Sequence, residues 1–359
     1  MVATIEENYP DLDIPYHSRW RHFQADGIPR WNKLESGLAQ ASTDEIARIR
    51  TELAIVSVLL DAGAGNSWSY REKDSGNHYA RSEGLAVASL ALYQSGQLSA
   101  HTEQPFRVDG NVLSNLNKQT LASAFQVTHS NPLLGLEGRV SLLRAVGECV
   151  TGHPHVFGSN QPRLGMFYDY ILRDSTERRA AARDILIDIL NTFSSIWPGR
   201  NELAGENLGD VWHHDAVRRE DCTDRLVPFH KLSQWLCYSL VEPLTDTGID
   251  VTELDALTGL AEYRNGGLFV DMDVLALRTP VNAEIVVDSP LVVEWRALTV
   301  ALLDRLAPMV RDRLGMDESQ LPLSRLLQGG TWSAGRRAAS ERRSDASPPI
   351  RVQSDGTVF

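Results

Sequence analysis

The capping-box pattern Ser42-Thr-Asp-Glu45 is followed by Ile46, Ile49, Leu53, Val56 and Leu60 at helical spacing, which predicts a core helix over residues 44–60. The same periodicity predicts helices from about Glu83 to Tyr93, closed by Gly96, and from Gly138 to Val150. Ala180, Ile185, Ile187, Leu190 and Phe193 extend it into a long helix from Thr176 to Trp197, stopped at Pro198-Gly199. Pro228 opens a helix over residues 228–242, as proline does in a first turn, with Phe229, Leu232, Leu236 and Leu240 as its apolar face. Leu254, Leu257 and Leu260 form a further helical pattern that breaks at Asn265-Gly266-Gly267, where glycines let the chain turn through positive φ. Leu268 to Leu277 reads as a short strand or extended segment, Pro290 to Leu314 as a long helix, and Thr331 to Arg343 as a last helix after Gln328-Gly-Gly330. Asp355-Gly356 then supplies turn chemistry before a β-prone end. The sum is a mostly α protein, a single helical domain over residues 1–359 with a short β element near the C-terminus. A length of 359 residues leaves open a division into two lobes, about 1–200 and 201–359.

Composition narrows the classes. A hydrophobic fraction of 42% with eight tryptophans makes the chain globular, and a net charge of −12 works against a nucleic-acid surface. Arg336, Arg337, Arg342 and Arg343 form the one basic cluster and read as a solvated helix face. No run approaches the roughly 20 apolar residues of a membrane span, and the N-terminus lacks a basic stretch leading into an apolar one. Three cysteines far apart (Cys149, Cys222, Cys237) argue for a reducing compartment. The expectation is a soluble, untargeted, cytoplasmic protein with neither a membrane nor a nucleic-acid partner.

Candidate chemistry concentrates in a few places. Glu262, Tyr263 and Arg264 put a carboxylate, a phenol and a guanidinium in succession between two apolar runs. They fit the mouth of a pocket, and equally a pair of solvated charges flanking a core ring. Lys231, Gln234 and Tyr238 recur at i, i+3 and i+7 as a polar stripe on a helix rich in Leu and Trp. Such a stripe must find partners, each unsatisfied buried group costing about 1–3 kcal/mol. A cleft holding an anionic, hydroxylated ligand would supply them, as would Lys231 reaching solvent and Gln234 bonding to backbone. Asp61-Ala-Gly-Ala-Gly65 lacks the spacing of either phosphate-cradling loop, and the loop after it carries Trp68 and Tyr70, either plugs over a core edge or stacking surfaces. His153-Pro-His155 lacks partners at zinc spacing, and His213-His214-Asp215 stands in the long aperiodic stretch 200–226, where adjacent histidines diverge. Neither reads as a metal site.

The runs LLDAGAGNSWSYRE, SEGLAVASL, FQVTHSNPLLGLEGR, IWPGR, LVPFHKLSQWLCYSLVEPL, LTGLAEYRNGGLFVD, EWRALTVALLDRLA, LQGGTWSAGRRAASERR and the terminal SDGTVF resemble the uracil-catabolism protein family of fungi and bacteria, across nearly the whole chain. The resemblance implies a pyrimidine-degradation route in which uracil becomes its nucleotide, a cyclohydrolase-like partner opens the ring, and a ribosylurea-type intermediate is broken to urea and a sugar. FHKLSQWLCYSL is also similar to the Lys-x-x-Gln helix of the queuosine-salvage nucleotide N-glycosidases, and LTGLAEYRNGG to their Asp-Tyr-Arg segment about thirty residues later. That second similarity implies a helical fold like that of DNA glycosylases and hydrolysis of an N-glycosidic bond in a nucleoside 5'-phosphate. Carried over, Lys231 and Gln234 line the nucleotide pocket and Glu262 takes the place of the catalytic aspartate, one methylene longer.

The mechanism these likenesses imply is hydrolysis through an oxocarbenium-like state, with Glu262 stabilising charge at C1 and orienting water. Tyr263, His230 or Asp61 would meet the leaving urea, Lys231 and Arg264 the 5'-phosphate, and Trp68 and Tyr70 would close over the leaving group. This chemistry demands no metal or organic cofactor. The rival is a non-catalytic subunit that binds and channels the ring-opened intermediate for the cyclohydrolase-like enzyme. An amidohydrolase acting on the ureido group would want a metal cluster or a nucleophile that the sequence does not offer.

Overall fold

In a computed structural model, which describes residues 1–175, 177–198, 200–278, 281 and 283–353, helices make up about half of the chain and are its main regular structure, with sheets of only two short strands each among the described residues. The main helices are α1 (Thr43–Leu59), α2 (Arg81–Gln94), α3 (Leu136–Gly152), α4 (Ala182–Thr192), α5 (Lys231–Thr245), α6 (Tyr263–Asp271), α7 (Pro290–Leu314) and α8 (Ser333–Arg342). Ser42 caps α1 by accepting the amide of Glu45 at 3.2 Å, and α1 is buried nearly all round because it packs against α2, α3 and α5. A helix buried on most sides belongs in the middle of a fold, and the charges α1 carries inward, Arg50 and Glu52, are paired with Asp246 and Arg163. Ser289 caps α7, Pro290 occupies its first turn, and Gly315 closes it at φ +65°. One core runs from Ile5 to Leu327 and so joins the early and late parts of the chain.

Several boundaries differ from the periodicity, each for a local reason. Pro228 lies in a strand, β2 (Leu226–Pro228), antiparallel to β1 (Val211–His213), with Val211 opposite Pro228. The helix waits until Lys231 because the amides of Phe229 and His230 go to the carbonyl of Asp210. Of the predicted long helix from Thr176, Arg179–Ala181 is instead a strand parallel to Asp250–Thr252, which leaves α4 shorter; Thr176 and Gly199 lie outside the described residues. Leu254–Ala256 makes a single 3₁₀ turn, and the segment Leu268–Leu277, expected to be extended, begins inside α6, which ends at Asp271, and continues as turns. Gly266 and Gly267 sit inside α6 rather than turning the chain. What Gly266 provides is close approach, since a Cβ there would stand 2.6 Å from Thr299 Oγ1 and 2.7 Å from Trp295 Nε1. Gln328-Gly-Gly330 does precede the last helix, α8, but does not interrupt the helical backbone before it. Helical backbone begins at Leu323–Leu326 and passes through the glycines as a π-helical stretch, Leu327–Trp332, pressed on the N-terminal segment. The β element near the end is a parallel pair, Ile285–Val286 with Val352–Gln353; the Asp355-Gly356 turn and the SDGTVF run lie outside the described residues.

Candidate active site

Two helix beginnings meet here. Glu262 is the N-cap of α6, its carboxylate accepting the amides of Arg264 at 2.9 Å and Asn265 at 2.7 Å. An extended residue with a carboxylate just before a helix satisfies orphan amides in this way and gains from the dipole. Asn265 fixes the turn further, donating to the Leu260 carbonyl and accepting from Thr331. Lys231 opens α5, its amide bonded to Asp210 Oδ2 at 3.0 Å. Both side chains are 9% exposed.

The three-residue stripe of α5 resolves unequally. Gln234 accepts the Thr258 amide and the Tyr238 hydroxyl donates to the Thr258 carbonyl, so both stitch α5 to the segment before Glu262. The Lys231 ammonium has no hydrogen bond and no ion pair among the described residues. Burial pulls its pKa down, opposed first by the charge of Glu262 and then by that of Asp61. Burial pushes Glu262 up, against its two amide hydrogen bonds and the charge of Lys231. Asp61, just past the end of α1, lies 3.1 Å from Arg19 Nη1 and accepts the Ser82 hydroxyl at 3.2 Å. Burial raises its pKa, yet the charges of Arg19, His22 and Lys231 outweigh that and leave it below the ordinary carboxylate value.

The remaining sequence candidates fall into two groups. Tyr263 is half-buried beside Glu262, its ring 4.9 Å from the Arg264 guanidinium, and Arg264 donates to the Ala346 carbonyl. Burial raises the Tyr263 phenol. The charges of Tyr263 and Arg264 and those of Asp61, Lys231 and Glu262 act on one another, while Gln234 connects to this group, among the described residues, only through Thr258. Trp68 sits in the core, stacked on Phe125 with its indole donating to the Phe125 carbonyl at 2.9 Å, and Tyr70 is buried on a hairpin opposite Tyr79. His230, at φ 46°, borders a small recess of about 10 Å³ with Trp197, Asp210 and Lys231. Burial lowers its pKa. The basic cluster is ion-paired, Arg336 with Glu83, Arg337 with Glu7 and Glu341, Arg342 with Asp273 and Arg343 with Asp271.

The sequence reading missed the groups that hold this site and wall it. Asp210 receives Arg296 through two bonds of 2.7 and 2.8 Å, and Trp212 at 2.6 Å. Arg296 also reaches the Ala261 carbonyl at 3.4 Å and lies 4.1 Å over Phe229. An arginine inside the buried stripe Val292, Val293, Trp295, Thr299 of α7 was the available signal. His17, Arg19 and His22 had none. Both histidines are driven down to about 4 by burial, so they are neutral at pH 7.

The chain is thus mostly helical, and two of its helix N-termini carry a lysine without a partner among the described residues and a buried glutamate. The chain belongs to the family described as "Protein of unknown function (DUF1688)", which it matches over residues 1–359. It is 40% identical over 378 residues to "Uracil catabolism protein 4" of Lachancea kluyveri, across 96% of this chain and 85% of that protein. To "Protein urg3" of Schizosaccharomyces pombe it is 40% identical over 354 residues, across 96% of this chain and 84% of that protein. Among the described residues no helix is long and apolar enough to cross a membrane, and no group of three or more His, Cys, Asp and Glu is placed to hold a metal.

Proposed function

We propose that this chain acts in uracil degradation as an N-glycosidase, hydrolysing the bond between C1 of the sugar and the ureido nitrogen of a ring-opened uridine nucleotide of the ribosylurea 5-phosphate type. The observation that carries the reading is Lys231, a residue only 9% exposed whose ammonium has no hydrogen bond or ion pair among the described residues, in the field of the Glu262 and Asp61 carboxylates. A buried cation beside two acids that do not bind it is costly in a resting protein and suits one awaiting a polar ligand. The name of the Lachancea relative supports the pathway, and the likeness to the queuosine-salvage glycosidases supports the choice of bond.

In this reading the sugar lies over Glu262. Each of its oxygens already accepts one amide, which fixes the carboxylate while leaving lone pairs for a water and for the charge developing at C1. A pKa above the ordinary carboxylate value favours taking a proton from that water as its oxygen bonds to C1 and the C1–N bond breaks. The proton leaves with the ureido nitrogen as urea. Lys231 and Arg264 meet the phosphate, and Tyr263 stands beside C1.

Purified protein incubated with synthetic ribosylurea 5-phosphate should release urea and sugar phosphate in equal amounts. Tight binding by calorimetry with no urea released would reject the hydrolase in favour of a carrier for the ring-opening enzyme.

A further inference from the structure

One turn beyond Lys231, Trp235 occupies the same face of α5. Its ring lies 5.7 Å from that of His22 and 6.4 Å from that of His17, with the Arg19 guanidinium 5.5 Å from its centroid. Trp332, delivered by the π-helical stretch, is 5.9 Å from His22 and 6.0 Å from His17. Within this aromatic cluster two buried donors, Arg19 Nη2 and Trp235 Nε1, have no acceptor among the described residues. Arg19 is fully buried and held by Ser57 at Nε and by the Ser82 carbonyl at Nη1, so its open nitrogen is fixed in place. Trp235 is 4% exposed. The acid at the same place is Asp61, against Arg19.

We propose that Arg19, Trp235 and Asp61 form the subsite for the ureido leaving group, an assignment that rests on the N-glycosidase reading. A phosphate would be repelled by Asp61 and a cation by Arg19. A flat, neutral group with a carbonyl on one edge and N–H on another satisfies the two donors and the carboxylate together, and the rings suit its faces. When the C1–N bond breaks, its electron pair passes to the ureido nitrogen and spreads to the carbonyl oxygen. Arg19 and Trp235 then face the growing charge, which is where a fixed donor stabilises a transition state.

Trp235→Phe keeps the ring and removes the N–H. Binding is measured in a Glu262→Gln background, so that turnover is slowed about 10²-fold, with ribosylurea 5-phosphate and with ribose 5-phosphate. Loss of one buried hydrogen bond should weaken ribosylurea 5-phosphate about five- to tenfold and leave ribose 5-phosphate unchanged. Asp61→Asn should show the same selectivity, with thermal melts of both variants confirming the fold. Equal weakening of the two ligands, or of neither, overturns the subsite. Failure of the function is read separately, by absence of urea from the unmodified protein, whatever the binding pattern.

Discussion

Arg296 and Asp210 grip each other through two parallel hydrogen bonds although 86 residues separate them, and each holds one end of the candidate site. Asp210 accepts the Lys231 amide, while Arg296 touches the Ala261 carbonyl immediately before Glu262. Asp210→Asn leaves a wholly buried guanidinium facing a neutral amide, and breaking such a pair from one side costs about 3–5 kcal/mol. Arg296→Met combined with Asp210→Asn should cost less than the sum of the single changes. Urea unfolding of the four proteins measures this, and strict additivity would mean that the pair is not coupled.

Gly266 tests the close approach of α6 to α7. Gly266→Ala places a methyl 2.6 Å from Thr299 Oγ1 and should destabilise by about 1–3 kcal/mol. Gly152→Ala, at the end of α3 with nothing within 4 Å of the new Cβ, should change stability by less than about 0.5 kcal/mol. Chemical denaturation of both variants checks the contrast.

Glu262→Gln retains size and one accepting oxygen but removes the charge. With that charge acting chiefly at the transition state, kcat should fall by about 10² while substrate binding changes little. The ionised form is the active one, and burial holds its pKa above the ordinary value of about 4.3. The acid limb of the pH–rate profile should therefore lie above that pH. Steady-state kinetics across pH decides, and full activity in the variant would remove Glu262 from the chemistry.

What was legible in the sequence follows from what is local. The caps at Ser42 and the proline start of α7 depend on neighbours a few residues away, so the helices they begin were placed closely. The start of α5 depends on Asp210, twenty-one residues upstream, and the helical run of Gly266 on Trp295 and Thr299, so periodicity misplaced both. Lys231, Gln234 and Glu262 stood out as polar groups in apolar surroundings. Arg19 and Trp332 reach the site only because the N-terminal segment and the π-helical turn pack together, a long-range fact with no local trace.

Lys231 connects stability with function through its protonation. Burial lowers its folded pKa below the ordinary lysine value, so between the two the unfolded chain binds more protons and stability rises with pH. Below the folded pKa the penalty of the buried charge is fully present; above about 10.4 it is gone. Lys231→Met should accordingly raise Tm at pH 7, with a gain that shrinks as pH climbs toward the ordinary lysine value. The same change removes the charge-assisted contact to phosphate, so the phosphorylated substrate should bind more weakly while its dephospho form is less affected. Thermal melts from pH 7 to 10 and calorimetry with the two ligands read these effects independently. A lower Tm at pH 7 would mean that Glu262 and Asp61 hold the lysine well enough in the resting protein, and that its charge is structural rather than kept for a ligand.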